Sequence, residues 1–159
     1  MTREERIVRD QLSALAADEK GRHLLQLALR GIQEDGHGLT YGCWVKRDGG
    51  VSGCLFQHAY WQGLEEGVFQ RANIPNSEIH HYVGEEDFAL VMAAIRAFDA
   101  LGKRRFRTWQ ATGRFGIPWR RLDEERWRAA VERLLIDALA GGVREPRVGL
   151  PQPELGARA

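Results

Sequence analysis

The chain has 159 residues, with 23 lysines and arginines against 22 aspartates and glutamates, for a net charge of +1. This length fits one domain able to bury a core without metal or disulfide staples, and so slight a charge names no partner. No apolar run approaches the roughly 20 residues of a membrane span, and the Met-Thr-Arg-Glu-Glu start lacks the apolar centre of a signal peptide. A soluble cytoplasmic protein with no membrane partner is expected, and the Arg-, Ala- and Leu-rich make-up suits a bacterial source.

Residues 3–35 read as helix. Val8, Leu12 and Leu15 recur at helical spacing, and Leu25, Leu29 and Ile32 do so again. Asp18-Glu19 is placed to cap a second helix, while Gly21 and the Ala16-Ala17 step predict two helices or one with a weak joint. Gly36 reads as the glycine just past the helix end. His23 and His37 stand alone and read as ordinary surface or satisfied residues.

The stretch Tyr41–Tyr60 holds both cysteines and the hairpin signal. Asp48-Gly49 between aromatic and β-branched runs suits a two-residue type I′ turn, because both central positions need a positive φ. That turn sets Arg47 against Gly50, Val45 against Ser52, Cys43 against Cys54 and Tyr41 against Phe56. Trp44 then shares the other face, where Gly53 leaves room for its indole. A turn on Gly49-Gly50 would slip the register and part the thiols.

The opposed thiols admit three readings. They are small buried hydrophobes; or a cross-strand redox pair, since a hydrogen-bonded pair lies about 5.5 Å apart at Cα, within reach of a disulfide; or metal ligands. In the last case Cys43, Cys54 and His58 would converge, with His80 or His81 as the fourth of the tetrahedral sulfur and nitrogen ligands that zinc takes. The C-x10-C-x3-H spacing is not a standard zinc signature.

From Gln57 to Gln70 the helical pattern returns, with Trp61, Leu64 and Val68 as its apolar stripe and Glu65 and Glu66 facing away. The run Gly53-Cys54-Leu55-Phe56-Gln57-His58-Ala59-Tyr60 resembles the cysteine-then-helix entry of papain-like and cell-wall hydrolases. Their pattern is Asp-Cys-Ser-Gly followed by apolar-apolar-Gln-x-Ala-Tyr, and here the cysteine falls two positions late. The resemblance implies a thiol enzyme with Cys54 at a helix N-terminus, where the dipole lowers a thiol pKa, and with His80 or His81 as its base.

Asn73-Ile-Pro-Asn-Ser77 reads as a turn, because Pro75 pushes Ile74 out of the helical region. Ile79–Val83 is expected as a short third strand, exposed and polar, with His80 and His81 on opposite sides and Glu78 near enough to orient one of them. Gly84-Glu85-Glu86-Asp87 then opens the clearest helix, with Phe88, Val91, Ile95 and Phe98 buried and Gly102 as its stop.

Residues 103–121 carry Lys103, Arg104, Arg105, Arg107, Arg114, Arg120 and Arg121 with no acidic residue, interleaved with Phe106, Trp109, Phe115 and Trp119. Basic side chains neutralise phosphates and aromatic rings stack on bases, so the mixture suits a nucleic acid, a nucleotide or an acidic protein partner. Residues 60–100 are the acidic counterpart, and pairing within the domain is the competing reading. Gly-Arg-Phe-Gly is not a phosphate-binding fingerprint.

Asp123 is expected to cap the last helix. Trp127, Val131, Leu134 and Ala138 form one face, Glu124 and Arg128 pair along it, and Gly141-Gly142 end it. Residues 143–159, with three prolines and three arginines, read as a flexible tail.

The expectation is an α+β fold: a mostly helical single domain over 1–142, with one β-hairpin at Tyr41–Phe56 and a short third strand packed on the helices. The leading function is a non-enzymatic binding or regulatory protein, with Arg104, Arg105, Arg107, Trp109 and Arg114 meeting a phosphate-bearing or acidic partner. The alternative is a thiol- or metal-dependent enzyme centred on Cys43, Cys54 and His58. Five tryptophans also suit a homo-oligomer with an apolar contact face.

Overall fold

The structure, a computed structural model, describes residues 1–34, 36–41, 45–47, 50–70, 74–105 and 121–141. Helix α1 (Arg3–Ala16) starts from a reciprocal cap: Glu5 N–H donates to Thr2 Oγ1 at 3.1 Å and Thr2 N–H to Glu5 Oε2 at 3.0 Å. Two of the unpaired donors of a helix start are thereby satisfied. Val8, Leu12 and Leu15 are fully buried, as their spacing predicts. Ala17 and Asp18 break the helix, and α2 (Glu19–Glu34) follows, so the segment is two helices. Leu24, Leu25, Leu27, Ala28 and Ile32 form the buried face of α2, and Gly36, at φ +75°, turns the chain away from it.

Three short strands come next: β1 (Gly38–Leu39), β2 (Val45–Arg47) and β3 (Gly50–Gly53). Strand β3 is central, with β2 antiparallel on one side, Val45 facing Ser52 and Arg47 facing Gly50. On the other side β1 runs parallel to it, Gly38 facing Ser52 and Leu39 facing Gly53. The third strand is therefore Gly38–Leu39. The Asp48-Gly49 turn, Cys43 and Trp44 lie outside the described residues. The strand does not reach Phe56, because Cys54 is already the cap residue of a helix. Tyr41 accordingly does not face Phe56.

Helix α3 (Leu55–Glu65) starts before the expected Gln57 and ends before Gln70. Every residue from Leu55 to Tyr60 is buried, while Trp61, Leu64 and Val68 are only partly so. The expected stripe is thus the margin of a helix whose first half is buried on all sides, with its widest packing against α2. Arg30 of α2 also grips Glu66 just past the end of α3 with two hydrogen bonds of 2.9 and 2.8 Å, which lowers the Glu66 pKa.

The segment expected as an edge strand is helix α4 (Pro75–Val83). Pro75 does hold Ile74 extended, at φ −76° and ψ 132°, but proline is also well suited to the first helical position, where no N–H is needed. Ile74 is the cap, and Ile79, one turn on, is buried. Gly84 at φ +89° leads into α5 (Glu85–Arg105).

Gly102 does not stop α5, which continues for three more residues. A side chain there would put its Cβ 2.2 Å from Cβ and Cγ of Tyr41, so the glycine is where Tyr41 packs onto the helix. Tyr41 also meets Trp127 edge-on at 6.5 Å, and Trp127 lies 4.9 Å from the Phe98 ring.

Helix α6 (Arg121–Ala140) begins two residues ahead of Asp123, which is therefore inside the helix and not its cap. Trp127, Val131, Leu134, Leu135 and Ala138 are buried. Arg128 reaches from Glu124, 3.6 Å away, to the carbonyls of Ile32 and His37. Arg22 of α2 donates to the carbonyls of Leu139 and Gly141, placing a cation where a helix end has unpaired acceptors. Residues 142–159, including the expected tail, lie outside the described residues. One core joins all six helices and β1, making a mostly helical single domain. Among the described residues no helix is long and apolar enough to cross a membrane.

Candidate functional site

Strand β3 runs directly into α3, and Cys54 stands at the join with φ −74° and ψ 176°. Its carbonyl accepts from the Gln57 and His58 N–H groups at 3.0 and 3.1 Å, closing the first helical turn. Gly53, just before it, is a close approach: a Cβ there would fall 2.6 Å from Cγ and 2.7 Å from Cβ of Gln57. This contact seats the Gln57 side chain against the strand.

Beside the join lies a half-open cavity of about 250 Å³ between three helices. Cys54, Phe56 and Gln57 line it from the start of α3; Ile74, Pro75, Asn76 and Ile79 from α4; Met92, Ile95 and Asp99 from α5. The wall is mostly apolar. Two polar atoms within this set are buried without a hydrogen-bond partner among the described residues, Gln57 Nε2 and Asp99 Oδ1. Gln57 is only 7% exposed. An unpaired buried polar group costs roughly 1–3 kcal/mol, so two in one cavity mark a place where the fold alone leaves hydrogen bonding incomplete.

Burial lifts the Asp99 carboxyl to about 6, against a smaller opposing pull from Lys103. Perturbed carboxyl groups in clefts are more frequent at binding and catalytic sites than elsewhere. The sequence reading missed this position, although Met92, Ile95 and Asp99 share one face of α5, where an acid interrupts an apolar stripe. Gln57 carried no comparable signal.

Among the described residues, those expected to hold metal do not gather into a cluster. His58 is fully buried, its Nε2–H donates to the Gly38 carbonyl at 3.0 Å, and its ring meets Trp61 edge-on. It ties α3 to β1 and does not line the cavity. His80 bonds Glu85 and stacks on Phe88 with ring centres 4.2 Å apart. Cys43 lies outside the described residues, and among the described ones no three His, Cys, Asp or Glu side chains gather.

The basic candidates divide in the same way. Arg104 pairs with Glu4 at 2.8 Å and Arg105 with Glu5 at 3.7 Å, closing the end of α5 onto the start of α1. Their acidic partners belong to this domain. Arg107, Trp109 and Arg114 lie outside the described residues. Of the tryptophans, Trp127 is core and Trp61 half-buried, so neither offers the exposed apolar face expected for self-association. No family model, no curated protein and no solved structure matches this chain.

Proposed function

We propose that the chain is a binding protein whose ligand occupies the cavity between α3, α4 and α5. The single observation behind this reading is the pairing of a half-open apolar cavity of about 250 Å³ with two buried polar atoms that the described residues leave unanswered. Apolar walls with a few fixed polar groups are the usual make-up of a small-molecule site. The test is thermal unfolding with and without toluene, in the parent chain and in Ile95→Trp, which fills the space. Toluene should raise the parent's Tm in a concentration-dependent way and leave the variant unmoved. Equal responses in both, or none in either, would remove the cavity from consideration.

The cytoplasmic setting, the bacterial source and a binding or regulatory role toward a phosphate-bearing or acidic partner are separate proposals, the last resting on the basic residues and not on the cavity. For that partner, Arg104 and Arg105 would first have to leave Glu4 and Glu5. A hairpin of β2 and β3 alone also stays a proposal, supported by their antiparallel register.

A second reading, a thiol enzyme, is favoured by one observation: Cys54 is at the N-terminus of α3 and lines the cavity. Asp99 would be the acid or base facing it, in place of the buried His58. Iodoacetamide at neutral pH separates the readings, since an activated thiolate reacts faster than an ordinary cysteine and a merely buried thiol reacts slower.

A further inference from the structure

We infer that the ligand of this cavity is a compact apolar molecule ending in a neutral amide, a carboxamide or a lactam; the inference rests on the binding reading above. Gln57 Nε2 is a donor in need of an acceptor, and Asp99 Oδ1 is an acceptor in need of a donor. An amide answers both from one headgroup, its carbonyl oxygen accepting from Gln57 and its N–H donating to Asp99.

The charged alternatives answer only one of the two atoms. A ligand carboxylate accepts from Gln57 but brings a second negative charge toward Asp99. A ligand ammonium donates to Asp99 but leaves the Gln57 donor facing a cation. A like charge beside Asp99, or a Gln57 donor left without an acceptor, costs affinity in a partly buried site. The remaining walls, Phe56, Ile79, Met92 and Ile95 among them, take the apolar body. A cavity of roughly 150 Å³ accepts benzene, and this one, at about 250 Å³, adds room for a headgroup of a few atoms.

The geometry also says what fixes the donor. Gln57 sits one turn into α3, 93% buried by its 7% exposure, and is held against the backbone of Gly53, whose missing side chain leaves the place for it. Its amide is therefore a built part of the wall and not a surface group that turns to water.

The experiment is an NMR titration at pH 7.5 with four probes of one shape, benzamide, benzoate, benzylamine and toluene, on the parent chain, Gln57→Met and Asp99→Asn. Benzamide should bind the parent about tenfold more tightly than the other three, the worth of one buried hydrogen bond. Gln57→Met should lose that margin while still binding toluene, which shows that the variant is folded. Asp99→Asn should keep benzamide and lose the discrimination against benzoate.

Tighter binding of benzoate or benzylamine, or a benzamide affinity untouched by Gln57→Met, would overturn the amide assignment. Toluene binding as tightly as benzamide would overturn it too, while leaving the cavity a binding site. Failure of every probe would remove the binding reading and this inference with it.

Discussion

Helix α5 shows two ways of using an apolar surface. Toward α1 and α6 it presents Val91, Ala94, Phe98 and Leu101, all buried, and Gly102, against which Tyr41 is seated. Toward α3 and α4 it presents Met92, Ile95 and Asp99 around open space. The first side is filled: Trp127 is fully buried against Phe98 and Tyr41. The second is not, and it holds the two orphaned polar atoms. One helix thus separates a closely packed part of the molecule from a part where packing is left incomplete.

The largest test of this contrast is Trp127→Ala. Truncating a fully buried tryptophan should cost about 3–5 kcal/mol, read as a fall in the urea midpoint. Ile95→Ala, on the open side, should cost less than half as much, since its side chain already borders a void. Equal losses would mean that the two sides are packed alike.

Gly102→Ala sharpens the contrast at one atom. Alanine is favoured over glycine inside a helix by about 1 kcal/mol, yet here the new Cβ would meet the root of the Tyr41 side chain at 2.2 Å, where little can give. Overpacking should prevail, for a net loss of about 1–3 kcal/mol in chemical denaturation. A stabilised variant would show that Tyr41 does not occupy this place.

The smallest effect is on the open side, and it depends on pH. Burial raises Asp99 from 3.8 to about 6, so between these values the folded chain holds a proton that the unfolded chain has released. The stability from this group is complete below 3.8 and is lost as pH rises through 6. Asp99→Asn cannot ionise and avoids the loss. The variant should match the parent near pH 4 and exceed it at pH 8 by on the order of 1–2 kcal/mol, discounted for partial solvent screening. Melting curves at the two pH values check both the sign and the window.

Much of the helical frame was legible. The spacings of Val8, Leu12 and Leu15, and of Trp127, Val131 and Leu134, identify buried faces because a helix repeats every 3.6 residues wherever it packs. The acidic first turn of α5 was equally plain. Ile79–Val83 misread as strand because its isoleucine, tyrosine and valine carry strand preference, and such preference is weaker than the packing that buries Ile79. Gly102 misread as a stop because glycine marks both helix ends and close contacts, and only the neighbour tells which.

The candidate site was legible in part. Cys54 stood out, and its place at a helix N-terminus agrees with what the Gly53–Tyr60 run implied. The ligand sets built around it did not follow, because convergence of His58 and His80 on Cys54 depends on where α3 and α4 point. His58 turned to a backbone carbonyl and His80 to Glu85.

The sequence by itself determined the repeating apolar faces, the acidic opening of α5 and the succession of cysteine and helix, since each is set by neighbours within a few positions. Tertiary structure alone decided that β1 pairs with β3, that Tyr41 rests on Gly102, and that Gln57 and Asp99, 42 positions apart by their numbers, border one cavity. Local spacing governs which face of a helix is apolar. Which helices meet, and what space they leave between them, is settled only when all the faces are buried at once.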